Sequence, residues 1–235
     1  MSVKILGIHS SPREGATAAA LRYALQCAGE VPEVETEFVA LREGKINPCV
    51  HCDTCIRKNL YYCPVFDDVI RPLYDKIMAA DGIILASPVY QMAPNAQMAM
   101  LINRMRPLGK LISVGGWGRK VGCAIAVGGS RNGGEETALS VMNRYFLTQG
   151  MTLAGPGVYA YGGASVWSHN HHDESVVTQE EQNRMVLSVT ARRMAVMAKI
   201  IQAGVQALPE LQPCQIAGFL DEEDRQAYLS AFWKK

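Results

Sequence analysis

The chain has 235 residues and a formal net charge of +1 at pH 7, and 49% of its residues are hydrophobic. This charge gives no electrostatic footprint for nucleic acid, and no apolar run reaches the length of a membrane span. The first nine residues lead straight into a buried-strand pattern without the features of a signal peptide, so we expect a cytoplasmic protein. Four of the seven cysteines fall within fifteen positions, which favours metal or redox chemistry over disulfides.

Apolar strand patterns alternate with helical patterns along the first 163 residues. The predicted strands are 3–8, 34–39, 82–86, 121–127 and 153–159, and the predicted helices are 16–28, 67–80, 95–105 and 135–149. This alternation predicts an α/β domain with a doubly wound parallel sheet. Five strands fit the flavodoxin-like order 2-1-3-4-5 better than the longer dinucleotide-binding fold.

The last part of the chain, residues 164–235, is predicted to extend this 1–163 domain with helices. A polar linker over 167–175 precedes Thr178 and Glu181, whose spacing predicts a capping box. Val186, Thr190 and Met194 then recur at helical spacing, and we expect the long helix to pack on the domain or on a partner subunit. A short amphipathic segment near the end of the chain ends in Phe232 and Trp233.

The first candidate site is the polar turn at 10–17, between the first strand and the first helix. A helix N-terminus offers free backbone N–H groups, Ser11 and Thr17 add hydroxyls, and Arg13 adds a charged fork. These groups suit a phosphate monoester, although a plain capped turn remains the alternative.

Two further turns follow predicted strands. Ser87-Pro88-Val89-Tyr90 offers a flat ring to a planar ligand, and 128–135 carries four glycines that let backbone approach a ligand closely. Each also has an alternative without a ligand: an ordinary strand-ending turn for the first and a flexible loop for the second. Because all three turns follow parallel strands, they are expected at one end of one sheet.

The most specific pattern is a cysteine-rich loop over 47–65, Cys49-x2-Cys52-x2-Cys55-x7-Cys63. Such compact spacing is typical of a cubane [4Fe–4S] cluster, with structural zinc or free thiols as alternatives. Cys27 and Cys123 are expected in the core. The segment 169–172, with three histidines, is expected to be a solvated loop or a lid rather than a metal site.

These motifs resemble the iron–sulfur flavoproteins, a branch of the NADPH-dependent FMN reductase family, over about residues 4–151. The resemblance implies that one group of residues grips the FMN phosphate: Ser11, Pro12, Arg13, Gly15, Ala16 and Thr17. It implies that a second group lies along the flavin ring: Pro88, Val89, Tyr90, Gly128, Gly129, Arg131 and Gly133. It assigns the cluster to the four cysteines of the loop.

The resemblance also implies a homodimer or dimer of dimers, with electron transfer between flavin and cluster. The expected function is an oxidoreductase that passes electrons from ferredoxin or NAD(P)H to an acceptor, with no residue named as catalytic. The alternatives are an NAD(P)H-dependent FMN or quinone reductase without a cluster, and a non-enzymatic redox sensor.

Overall fold

The computed structural model describes residues 2–232, so Trp233 lies outside them. The strands in this part of the chain are β1 (Val3–His9), β2 (Val34–Ala40), β3 (Gly82–Tyr90), β4 (Ala93–Pro94), β5 (Val121–Gly128), β6 (Thr152–Leu153) and β7 (Ala164–Trp167). The helices are α1 (Ala16–Gly29), α2 (Thr54–Arg57), α3 (Leu73–Ala79), α4 (Ala96–Arg104), α5 (Glu135–Thr148), α6 (Ser175–Thr178), α7 (Glu181–Ala207), α8 (Pro213–Ile216) and α9 (Glu222–Phe232).

The sheet confirms the α/β class with parallel strands, but the described residues form seven strands rather than the five of the predicted order 2-1-3-4-5, with β4 and β7 added. Its order is β2-β1-β3-β5-β6, and β7 also pairs with β5. The position beyond β5 is therefore shared, because β6 pairs with Val121 and Gly122 while β7 pairs with the stretch from Ile125 to Gly128. The short β4 adds an antiparallel pair to the end of β3.

Two strands were predicted with the wrong C-terminal ends. The predicted strand at 153–159 ends at Leu153, and a 3-10 turn forms at Gly157–Tyr159. Pro156 between two glycines explains the break, since proline cannot donate to a ladder and glycine weakens a strand. By contrast, β3 continues through the Ser87–Tyr90 stretch that was predicted as a turn.

Two helix predictions also need correction. The helix predicted at 67–80 begins only at Leu73, directly after Pro72, because the residue before a proline disfavours the helical region. The predicted capping box is wrong: Thr178 ends α6, and Glu180 precedes α7 without a side-chain cap.

Helices cover both faces of the sheet. On one face α1 and α7 bury Leu21 and Met194, and on the other α3, α4 and α5 bury residues such as Leu101 and Phe146. Cys27 and Cys123 lie in the first of these cores, as predicted. Among residues 2–232, none of the helices combines the length and apolarity that a bilayer crossing requires.

Candidate functional site

Asn95 joins two of the candidate turns. Its Nδ2 donates to the Ser10 carbonyl at 2.7 Å, and its Oδ1 accepts from Ser10 Oγ at 2.6 Å. Its backbone N–H donates to Ser87 Oγ at 3.1 Å, and its Oδ1 caps α4 by accepting from Met98 N at 3.3 Å. One buried amide therefore fixes the end of β1, the end of β3 and the start of α4.

The third turn packs against the hairpin between β3 and β4. Gln91 and Met92 both have left-handed backbones, with φ of 50° and 66°, as a tight two-residue hairpin turn requires. Gly134 has φ of 100°, and a Cβ there would lie 2.8 Å from Met92 Cα. Tyr90 remains 43% exposed beside this contact, so its ring is available to a ligand.

The histidine-containing segment lies over the first and third turns. The His172 carbonyl oxygen would lie 2.5 Å from a Cβ on Gly15, and Asn170 Oδ1 would lie 2.5 Å from one on Gly129. Trp167 Nε1 donates to the Gly129 carbonyl at 3.2 Å, and its ring stacks on His169 with 3.4 Å between centroids. Segment 167–172 is thus packed against the candidate site.

The N-terminus of α1 suits an anion. Gly15 at the N-cap offers no side-chain cap, and the first turn carries no acidic residue. Ser11 and Thr17 are buried while Arg13 is exposed, and Ser11 Oγ accepts from Arg13 N at 3.2 Å. Because no side chain caps the first turn, its backbone N–H groups are free to donate hydrogen bonds to a phosphate.

His9 lies at the end of β1, directly before this turn, and sequence reasoning missed it. The side chain is fully buried, and neither ring nitrogen has a hydrogen-bond partner among the described residues. Burial lowers the pKa of His9 to about 4. The carboxylate of Glu14 opposes this shift, and the cations of Arg42 and Arg22 add to it. His9 is therefore neutral at pH 7.

This buried histidine predicts a loss of stability in acid. An unfolded histidine titrates near pH 6.5 whereas His9 titrates near 4, so the unfolded state binds more protons between these values. Stability contributed by His9 is complete above about pH 6.5 and is lost as the pH falls towards 4. Urea unfolding of His9→Leu, without FMN, is expected to show a smaller drop between pH 7 and 5 than the unmodified chain. Equal drops would contradict this assignment.

The four cysteines of the loop line a single small pocket, which Arg104 and Arg106 also line. Cys55 is buried on α2, Cys52 is exposed, and the other two are intermediate. Within the described residues no group of three or more His, Cys, Asp or Glu side chains forms a ready-made metal site. Four thiols around one pocket with two cations nearby nevertheless fit an anionic iron–sulfur cluster by their donor chemistry.

The base of the loop is held by a buried ion pair. Arg104 Nη1 donates to Asp68 Oδ2 at 2.7 Å and to the Asn47 carbonyl at 2.8 Å, and its Nη2 donates to Asp68 Oδ1 at 3.2 Å. Asp68 Oδ2 also accepts from Asn47 N at 3.1 Å. The residues just before Cys49 and just after Cys63 are therefore joined through α4.

Comparison with known proteins agrees with these features. Residues 3–165 match the family model "NADPH-dependent FMN reductase". An iron–sulfur flavoprotein of Methanocaldococcus jannaschii is 44% identical over 168 residues, which cover 70% of this chain and 83% of the relative. One from Archaeoglobus fulgidus is 35% identical over 82% of this chain and 96% of its own length.

Solved structures support the fold. A flavodoxin, WrbA-like protein from Agrobacterium tumefaciens superposes with a TM-score of 0.58 at 15% identity, covering 85% of this chain and 99% of that one. This likeness confirms the flavodoxin-like fold. With the family match and the curated relatives, it leads to one conclusion: the chain belongs to the NADPH-dependent FMN reductase family and, within it, to the iron–sulfur flavoproteins, and it is a flavin-dependent oxidoreductase.

Proposed function

We propose that this chain transfers electrons between a donor, NAD(P)H or ferredoxin, and an acceptor, using FMN at the sheet end and a [4Fe–4S] cluster on the 47–65 loop. The observation that carries the proposal is the pairing of two features, an uncapped helix N-terminus among the joined turns and four cysteines around one pocket. FMN exchanges electrons singly or in pairs whereas a cluster exchanges one at a time, so together they link the two kinds of carrier.

The turn before α1 is the proposed phosphate site. Its proposed contacts are Ser11, Arg13, Gly15, Ala16 and Thr17. Support comes from the uncapped first turn of α1 and from the burial of both hydroxyls. Backbone donors fix the position of a phosphate, and the guanidinium adds charge.

The flavin ring is proposed to lie along the ends of β3 and β5. The proposed contacts are Pro88, Val89, Tyr90, Gly128, Gly129, Arg131 and Gly133. Support comes from the exposed ring of Tyr90 and from the packing of Gly134 on Met92 beside it. The 167–172 segment, which packs on Gly129, is proposed to close the opposite side of the ring.

The proposed cluster ligands are Cys49, Cys52, Cys55 and Cys63. The chain turns sharply on both sides of Cys52, since His51 and Asp53 have left-handed backbones with φ of 54° and 56°. A hydrogen bond from Thr54 Oγ1, 3.3 Å from its sulfur, lowers the pKa of the Cys52 thiol. The thiolate is the form that binds metal.

Arg13→Ala is expected to weaken FMN binding by about 1.5–3 kcal/mol, the scale of a hydrogen bond to a charged group. Riboflavin lacks the phosphate, so its affinity is expected to be weak in both proteins. Fluorescence titration measures both ligands. Arg22→Ala is the matched control, because Arg22 is exposed and pairs with Glu14 at 2.8 Å. Equal affinity of the unmodified chain for FMN and riboflavin would contradict the phosphate site.

A homodimer or larger even assembly is also expected. Exposed apolar side chains of α5 and the segment after β6 line a cavity of about 680 Å³ at the β7 edge, among them Leu147, Val158, Tyr159 and Tyr161. Contiguous exposed apolar surface is typical of interfaces. Light scattering is expected to show an even assembly that Leu147→Glu weakens and Leu220→Glu, in the exposed tail, leaves intact. A monomer at micromolar concentration would contradict this proposal.

A further inference from the structure

Arg104 is a buried charge in the wall of the cysteine pocket. It lies on α4 and is 1% exposed, yet it lines the same pocket as the four cysteines. Both Nη atoms are occupied by Asp68 and the Asn47 carbonyl. The backbone is fixed as well, because Tyr74 Oη donates to the Arg104 carbonyl at 2.8 Å. The side chain is therefore held in place in the wall of the pocket.

The third nitrogen of this guanidinium, the buried Arg104 Nε, has no hydrogen-bond partner among the described residues. A buried donor on a charged group is costly to leave unsatisfied, so such a group requires an explanation. The carboxylate of Asp53, which also lines the pocket, already accepts from Arg106 Nε at 2.7 Å. The acceptors that remain along the pocket include the cysteine sulfurs.

We propose that Arg104 is a positioning residue for the cluster. Its Nη atoms hold the two ends of the cysteine loop together through Asp68 and Asn47, and its Nε–H donates a hydrogen bond to a sulfur of the bound cluster or its thiolates. The proposal rests on the proposed function. Hydrogen bonds to the sulfurs and nearby positive charge favour the more negative, reduced cluster, so they raise the reduction potential.

Arg106 provides the matched control. It lines the same pocket and carries the same charge, but its side chain is 31% exposed and its guanidinium pairs with Asp53. Its Nε–H is already used by that carboxylate. A lysine at either position keeps the charge and removes the guanidinium fork with its bonds to a carboxylate, but only Arg104→Lys removes an Nε–H that has no partner among the described residues.

The test compares the unmodified protein, Arg104→Lys and Arg106→Lys after anaerobic purification, by iron analysis and by redox titration of the cluster spectrum. Arg104→Lys is expected to lower the equilibrium constant for reduction by roughly three- to tenfold, and tenfold is about 59 mV for one electron. Arg106→Lys, which keeps the charge and removes no unpaired donor, is expected to change it less than Arg104→Lys does. An unmodified chain without iron overturns the proposed function and this inference together, whereas an iron-containing Arg104→Lys with an unchanged potential overturns this inference alone.

A second measurement tests the proposal without the Arg104→Lys protein, in case that variant does not fold or hold iron. Protein labelled with ¹⁵N-arginine is reduced and examined by pulsed EPR for coupling between the cluster spin and nitrogen. The coupling is expected in the unmodified chain and is expected to persist in Arg106→Lys. Absence of coupling, or its disappearance in Arg106→Lys, overturns the proposal.

Discussion

Cys52→Ser is expected to remove the iron while leaving the fold and FMN in place. Four thiolates hold a cubane cluster, so iron is expected to fall from about four per chain to well below one. FMN is expected to stay, because its proposed contacts lie in other segments. Circular dichroism, bound-flavin absorbance and iron analysis of anaerobic protein measure the three properties.

The control for this change is Cys27→Ala, which alters a cysteine buried on α1 away from the loop. It is expected to retain its iron. Direct flavin reduction is expected to survive in Cys52→Ser, while single-electron transfer to an acceptor protein is lost. Full iron retention in Cys52→Ser would show that this cysteine is not a ligand.

Asn95→Ala is expected to destabilise the protein by about 2–4 kcal/mol. The change removes a helix cap, worth about 0.5–2 kcal/mol, and takes the Asn95 side-chain partners away from the buried Ser10 carbonyl and hydroxyl, at about 1–3 kcal/mol. The backbone N–H of residue 95 keeps its bond to Ser87 Oγ. FMN affinity is expected to fall as well, because Asn95 joins the phosphate turn to the end of β3. Urea unfolding and flavin titration measure the two effects.

Asn103→Ala is the matched control on the same helix. Asn103 is exposed and donates only to the Ala99 carbonyl within α4, so its loss is expected to cost less than about 0.5 kcal/mol. If Asn95→Ala unfolds with the same urea midpoint as this control, Asn95 does not hold the two turns together.

The sequence predicted the parts of the fold that depend on local pattern. The buried runs of β1, β3 and β5 contain few polar residues, and the chain alternates between strands and helices, so the parallel sheet followed directly. The shared edge could not be predicted in this way. The short strand Ala164–Trp167 shows no distinctive pattern of its own and is defined by its pairing with β5.

The same limit applies to the candidate sites. The cysteine spacing is a local signal, whereas Asn95 contacts Ser10 across 85 positions and Arg104 contacts Asp68 across 36. Asn95 did carry a signal, since an Asn before a helical pattern is a typical N-cap. For Arg104 the signal was its spacing from Met98 and Leu101 on the buried face of α4, which indicates burial but not a partner.

Metal and flavin analysis of anaerobically purified protein tests the central claim most directly. Anaerobic handling is required because an exposed cluster loses iron in air. The proposed function predicts one FMN and about four irons per chain, with matching acid-labile sulfide. Stoichiometric zinc without iron would contradict it and would leave a flavin reductase without a cluster.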